Sequence, residues 1–223
     1  MSEARLIQLN ANLAERACLD TNEMAWEPSP SPTVWRKRLH LDGRPEAGRV
    51  TSVVRYDEGA TFSSHEHPGG EEILVLRGVF SDDAGDWGPG SYLLNPEGFA
   101  HSPFSKDGCV IFVKLRQYFG ANRVTLNTNA MQWTKTSELG VMHKPLFADV
   151  NHAETMSIEH LQPGTMVTRE HDRGAEMFVL NGELIENRTG YTEGTWLRLP
   201  PGTVHRLETK TGCTLYVKRH HLA

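Results

Sequence analysis

The chain has 223 residues, 38% apolar and 23% charged, the make-up of an ordinary globular protein. A formal net charge of -5 gives no basic footprint for nucleic acid, and no apolar run reaches the length of a membrane span. Cys18, Cys109 and Cys213 are too few and too scattered for a disulfide framework, and the N-terminus lacks the apolar core of a secretion signal, so a cytoplasmic setting is expected.

In chain order, Ser2 to Leu19 is the one fair helix candidate, with Leu6, Leu9, Leu13 and Cys18 roughly on one side and Ser2 as its cap. Pro28 to Pro32 reads as a rigid lead-in. Short β-branched runs then follow, VTSVVRY, EEILVLRG, SYLLNP and CVIFVKLRQ, separated by Gly, Pro, Asp and Asn turns. Asn127 to Leu139 reads as a linker and the start of a second set, AETMSIEHL, AEMFVLNG, TWLRLP and CTLYVKRH. Many short strands and no long amphipathic helix predict an all-β sandwich or barrel built from double sheets.

The chain also repeats itself. PGSYLLNPEGFAH and EGTWLRLPPGTVH share Gly, Pro, Gly and His at the same spacings, and a constant shift of 104 positions pairs Gly78 with Gly182, Pro96 with Pro200 and His101 with His205. GCVIFVK and GCTLYVK follow the same shift, which puts Cys109 and Cys213 at equivalent core positions. The expected organisation is an N-terminal segment (1–25), a first module (26–126) and a second (127–223).

HEHPGGEE, at 65–72, is the densest chemical signal. On a strand, His65 and His67 face the same side, because side chains alternate. Pro68-Gly69-Gly70 turns the chain, after which parity and spacing favour Glu71 over Glu72 as the inward carboxylate, with Ile73, Val75 and Arg77 on its side. Arg77 is thereby expected at the mouth, and Tyr92 is a further residue that can flank the site. His101 arrives on a later strand after a Pro-Glu-Gly turn. Three imidazoles and a carboxylate suit one divalent ion per chain, zinc first, with iron, nickel or manganese as alternatives.

The motif from Gly59 through His65, His67, Glu71 and Gly78, and the motif from Gly90 through Pro96, Gly98 and His101, resemble those of the cupin superfamily. Ser105 stands where many cupins have asparagine. More narrowly, HEHPGGEEILVLRGVF, SDDAGDWGPGSYLLNP and SKDGCVIFVKLRQY are similar to the cupin domain of ChrR-type anti-sigma factors. The resemblance spans most of the chain from about Ser31. It implies two tandem cupin (double-stranded β-helix, jelly-roll) barrels, with His65, His67, Glu71 and His101 as the usual metal ligands.

In the second module, Arg169 replaces His65 and Ala175 replaces Glu71, while His171 and His205 keep the other two positions. Glu176 corresponds to Glu72, so His171, Glu176 and His205 form a second metal set only if the strand register slips. Arg169 repels a metal and is instead a candidate for a carboxylate or phosphate group. The expected second module is degenerate.

The resemblance implies a ligand-binding or oxidative-stress-sensing regulator, here without the His-Cys-x-x-Cys helical domain that grips a sigma factor in that family. Sigma-factor binding thus rests on the resemblance alone. The alternative is a metal-dependent, dioxygenase-like oxidoreductase acting on a small molecule in the barrel, and a metal-stabilised scaffold comes third. No residue is assigned to catalysis. Two modules in one chain predict an internal pseudo-dimer with exchanged N-terminal strands, paired through the lead-ins at Trp26 and Trp133, and permit a homodimer as well.

Overall fold

The computed structural model describes residues 6–222, and the described residues form strands and turns without a helix. No helix long and apolar enough to cross a membrane is present among them. The chain divides into two compact units, one made of residues 1–11 and 24–129 and the other of residues 12–23 and 130–223.

The N-terminal helix expectation is corrected over the described part of its range. Ile7–Leu9 and Ala17–Asp20 are strands; Ser2 lies outside the described residues. Leu6 and Ile7 are exposed, so the apolar stripe has no face to bury. Asn10 sits at φ 48, and the side chain of Asn12 accepts from the Ala14 amide, a local turn that competes with helix.

In the first unit, an eight-stranded sheet runs Ile7–Leu9, Val34–Gly43, Arg49–Tyr56, Cys109–Leu115, Glu71–Gly78, Ser91–Asn95 and Val124–Asn127, with Glu27–Pro28 on the side. A four-stranded sheet (Gly85–Trp87, Phe80–Asp82, Phe104–Ser105, Ala60–Thr61) and the pair Phe99–His101 with His65–His67 complete it. The alternating apolar residues of the central strands, Ile73, Val75, Leu93, Ile111 and Val113, meet Phe80 in its core, as period-two patterning requires.

The second unit has a ten-stranded sheet whose main path runs Thr134–Lys135, Val141–Asp149, His152–Leu161, Cys213–Arg219, Ala175–Glu186, Thr195–Leu199 and Ala17–Asp20. Met166–His171 pairs with Thr203–Glu208 beside it. Its core gathers Met177, Val179, Leu197, Leu199, Leu215 and Val217. Both sheet paths are open chains of neighbours.

Gly78 and Gly182 show why the repeated glycines recur. Their φ values are +68 and +81, and a Cβ would lie 2.1 and 2.2 Å from the carbonyl oxygens of Gly108 and Gly212.

The two edge strands follow a second repeat, unnoticed in the sequence reading. R-x-x-L-x-T-N-x-M-x-W begins at Arg16 and again at Arg123. Ala17–Asp20 pairs with Thr195–Leu199, and Val124–Asn127 pairs with Ser91–Asn95. Each copy's leading strand therefore completes the sheet that the other copy's remaining strands build. The exchange uses these strands and not the lead-ins at Trp26 and Trp133, which lie after them.

Candidate metal centre

The antiparallel pairing of His65–His67 with Phe99–His101 sets His101 opposite His65 and Phe99 opposite His67. The pleat sends all three imidazoles to one face, and one ligand atom from each lies within 4.8 Å of the others. Glu71 opens the next strand after a turn at Gly69 and Gly70, both at positive φ. Its Oε2 lies 3.6 Å from His67 Nε2 and 3.5 Å from His101 Nε2. The structure thus brings together His65, His67, Glu71 and His101.

The nitrogens are aimed. His65 Nδ1 lies 2.8 Å from the Ser63 carbonyl, and donation there leaves Nε2 with its lone pair. His101 Nδ1 lies 3.2 Å from Asp82 Oδ2, the carboxylate–histidine arrangement that fixes the tautomer of a metal ligand. His67 Nε2 and His101 Nε2 face each other at 3.0 Å. Two neutral imidazoles in that geometry share at most one proton, whereas a cation at the meeting point satisfies both lone pairs. The donor set of three nitrogens and one carboxylate fits a divalent ion.

Burial favours the neutral form of His65, His67 and Glu71, which is the binding form for the imidazoles and is opposed at Glu71 by its polar neighbours. Burial, reinforced by the neighbouring imidazoles, lowers the pKa of His67 to about 3, and burial lowers that of His65 as well. Burial raises Glu71, opposed by His101 and by donation from Asn95 Nδ2 at 3.0 Å. Burial would also raise Asp82, but bonds from His101 and Trp87 hold it below the usual carboxylate range. Phe62, Phe80 and Phe99 pack their rings on the cluster, and only His65 is half-buried rather than buried.

The flanking candidates fall elsewhere. Tyr92 is fully buried and donates to Glu72 Oε1 at 2.9 Å, on the strand face away from Glu71. Arg77 is exposed. A bulge pairs Arg77 with Val110 and Val75 with Ile111, leaving Leu76 extra, so the alternation that pointed Arg77 inward is broken. Asp82, Asn95 and Arg123, which surround the ligands, escaped the sequence reading. The signal for Asp82 was an acid at the same shift of 104, Glu186, and for Arg123 the repeated arginine, Arg16.

The second unit brings His171 and His205 together, with ring centroids 5.9 Å apart. His205 turns Nε2 towards Glu186 Oε1 at 3.1 Å. Glu176 stands apart from them, its Oε2 3.6 Å from His221 Nε2. Among the described residues, His65, His67 and His101 are the one group of three such side chains with metal-ligand spacing. Arg169 is opposite His205 in register, as His65 is opposite His101. Its guanidinium donates to Glu138 from Nε at 2.9 Å and Nη2 at 2.6 Å, and to Glu159 from Nη1 at 2.9 Å. Arg219 donates to the other oxygen of Glu159 at 2.6 Å. A cavity of about 590 Å³ opens beside this network, lined by Ser137, Glu138, Glu159, Arg169, His171 and Arg219 among others. The anion expected at Arg169 meets a cation already matched by two carboxylates.

Comparison with known proteins shows which folds and which family the chain is similar to. A proposed dioxygenase from Nostoc punctiforme is similar in structure at 16% identity and TM-score 0.77, over 94% of this chain and 84% of that one. A proposed glyoxylate-induced protein from Pseudomonas aeruginosa follows at 11% identity and TM-score 0.74, over 92% and 88%. The Escherichia coli pirin YhhW, in complex with nickel(II), is similar at 12% identity and TM-score 0.65, over 92% and 98%. At these identities the likeness is one of fold. No curated protein matches the sequence. The family described as the ChrR Cupin-like domain matches residues 14–119 and again 121–223, each match starting just before one of the exchanged strands. The chain therefore belongs to the ChrR Cupin-like domain family, of the cupin superfamily, and carries that domain twice.

Proposed function

We propose that this protein is a metal-dependent oxidoreductase of the dioxygenase type, acting on a small molecule at the first of two jelly-roll barrels. The observation that carries the reading is the convergence of His67 Nε2, His101 Nε2 and Glu71 Oε2, with His65 on the accessible side. His65, His67, Glu71 and His101 would hold one divalent ion per chain. Bound there, iron, nickel or manganese would supply Lewis-acid and oxygen chemistry that zinc, lacking redox states, would supply only in part.

The chain's own residues prepare the site. Burial keeps His67 neutral, Asp82 holds the proton on the far nitrogen of His101, and Asn95 keeps Glu71 oriented. The rings of Phe62, Phe80 and Phe99 exclude water around the imidazoles. The similar folds of a proposed dioxygenase and a nickel-bound pirin favour enzymatic use over regulation. The residues at 7–9 and 17–20, where a helix was expected, serve as sheet edges, which gives sigma-factor docking no support.

The test is metal content of untagged protein and of His101→Ala, followed by oxygen-uptake screens with small diketones and thiols. About one iron per chain, lost in the variant, with substrate-dependent oxygen uptake is the expected result. Zinc without uptake would return the protein to a sensing role, and a metal-free protein would overturn the site itself.

A further inference from the structure

Resting on the metal reading above, we propose that Arg123 is a positioning residue for the metal centre, fixing two of its four ligands from the exchanged strand-bearing segment. Its Nε donates to Asn95 Oδ1 at 3.1 Å, and Asn95 Nδ2 donates to Glu71 Oε2 at 3.0 Å. Its Nη2 lies 3.7 Å from Asp82 Oδ2, the oxygen that His101 Nδ1 meets at 3.2 Å. One guanidinium thus ends two chains of polar contacts, one leading to Glu71 and one to His101. Its carbon rests 4.5 Å from the centre of the Phe99 ring, and Phe99 is the register partner of His67.

Asn95 shows what the arginine does. A side-chain amide can present either its oxygen or its NH2 to a neighbour. Donation from Arg123 occupies the oxygen, so the NH2 is left for Glu71. Without that donor the amide is free to turn and set oxygen against carboxylate. The planar guanidinium serves Asn95 and Asp82 in two directions at once, which a single ammonium cannot do.

The second unit is an internal comparison. Where the ligand Glu71 is replaced by Ala175, its support Asn95 is replaced by Leu199. Where the ligand His101 persists as His205, the acid persists as Glu186 and the arginine as Arg16. Arg16 again lies on that acid, with Nη1 3.1 Å from Glu186 Oε1 and Nη2 3.1 Å from the Tyr191 hydroxyl. The amide is lost with the carboxylate it serves, whereas the acid and the arginine stay with His205, although Glu186 meets Nε2 there and Asp82 meets Nδ1 of His101. Packing alone does not demand an amide at 95, because Asn95 and Leu199 are both fully buried in matching strands.

Full-length wild type, Arg123→Ala, Arg123→Lys, Asn95→Leu and His101→Ala are compared for cobalt(II) binding. Affinity is read by competition with a chelator, ligand geometry by the visible absorption of the bound ion, and fold by melting of the metal-free proteins. Arg123→Ala and Asn95→Leu are expected to bind cobalt about 10- to 100-fold more weakly, with a changed spectrum, and Arg123→Lys not to restore either. Affinity within about threefold of wild type and an unaltered spectrum in Arg123→Ala would overturn the inference, whatever Asn95→Leu does. If Arg123→Ala does not fold, Arg123→Lys decides: wild-type affinity and spectrum there would equally overturn the inference. Binding sensitive to His101→Ala but indifferent to Arg123 and Asn95 sinks the positioning role alone. A wild type that takes up no cobalt, or takes it up without His101, sinks the metal reading and the inference with it.

Discussion

Glu159→Gln in the second unit is a direct test of the ion network that Arg169 and Arg219 form there. Glu159 accepts from Arg169 at 2.9 Å and from Arg219 at 2.6 Å, and its side chain is 6% exposed. Burial alone would raise its pKa, but Arg219 and then Arg169 bring it from 4.5 to about 2. At about 1.4 kcal/mol per unit, that lowering contributes about 3 kcal/mol of stability at neutral pH. Glutamine has nearly the shape of the protonated acid and lacks the charge, so the variant is expected to lose about that amount at pH 7. The folded carboxyl titrates below the unfolded one, so the unfolded chain takes up the extra proton first and the advantage shrinks as pH falls. It is complete above about pH 4.5 and reduced to about half by pH 3. Urea denaturation of wild type and variant at pH 7, 5 and 3 measures it, and acid effects of the histidines common to both proteins cancel in the difference. A gap below about 1 kcal/mol at pH 7, or one that does not narrow at pH 3, would refute the claim that the arginines stabilise this carboxylate.

Burial lowers His171 and His205 to about 4, so the unfolded chain protonates before the folded one and stability falls as pH drops below about 6.5. His171→Leu is expected to remove about 2 kcal/mol of the loss between pH 7.5 and pH 5, seen as a flatter dependence of melting temperature on pH. Gly78→Ala meets both a positive φ and a carbonyl oxygen at 2.1 Å, so a loss of about 3 kcal/mol or more in urea denaturation is expected, against about 1 kcal/mol for Gly59→Ser, which meets a positive φ of +72 but no atom within 4 Å of the added carbon. Thiol labelling of the native protein should show one fast group, Cys18, which is exposed. Burial raises Cys109 to about 11 and Cys213 to about 12, so both should react at least about 100-fold more slowly until the chain unfolds.

The residues that meet in the candidate site were legible because their signals are short spacings and a fixed repeat. His65 and His67 are two residues apart on a strand, Glu71 follows a glycine turn, and the shift of 104 marks His101 through its partner His205. Asp82, Asn95 and Arg123 were not, because their roles arise where separate strands meet; an isolated arginine reads as surface charge until its strand is seen beside Ser91–Asn95. The N-terminal region failed for a related reason. Leu6, Leu9, Leu13 and Cys18 have helical spacing, but propensity yields to pairing when Cys18 and Leu19 find Leu197 and Trp196 across the sheet. Parity misplaced Arg77 because a bulge one residue earlier adds a position that alternation does not count.

The strand Ala17–Asp20 also sets a clock on synthesis. Ala17 pairs with Arg198, 181 positions later (198 minus 17). At roughly 5–20 residues per second on the ribosome, the first-made edge waits about 10 to 40 seconds for the strand it completes. Throughout that interval a short β-segment carrying Cys18 has no native neighbour, while Val124–Asn127 finds its partner, Ser91–Asn95, soon after it is made. A chain cut between the copies would leave each half short of an edge strand and ready to borrow one from another molecule. The duplication is therefore not divisible as it stands: completion of the second unit's sheet depends on a strand made 181 positions before its partner.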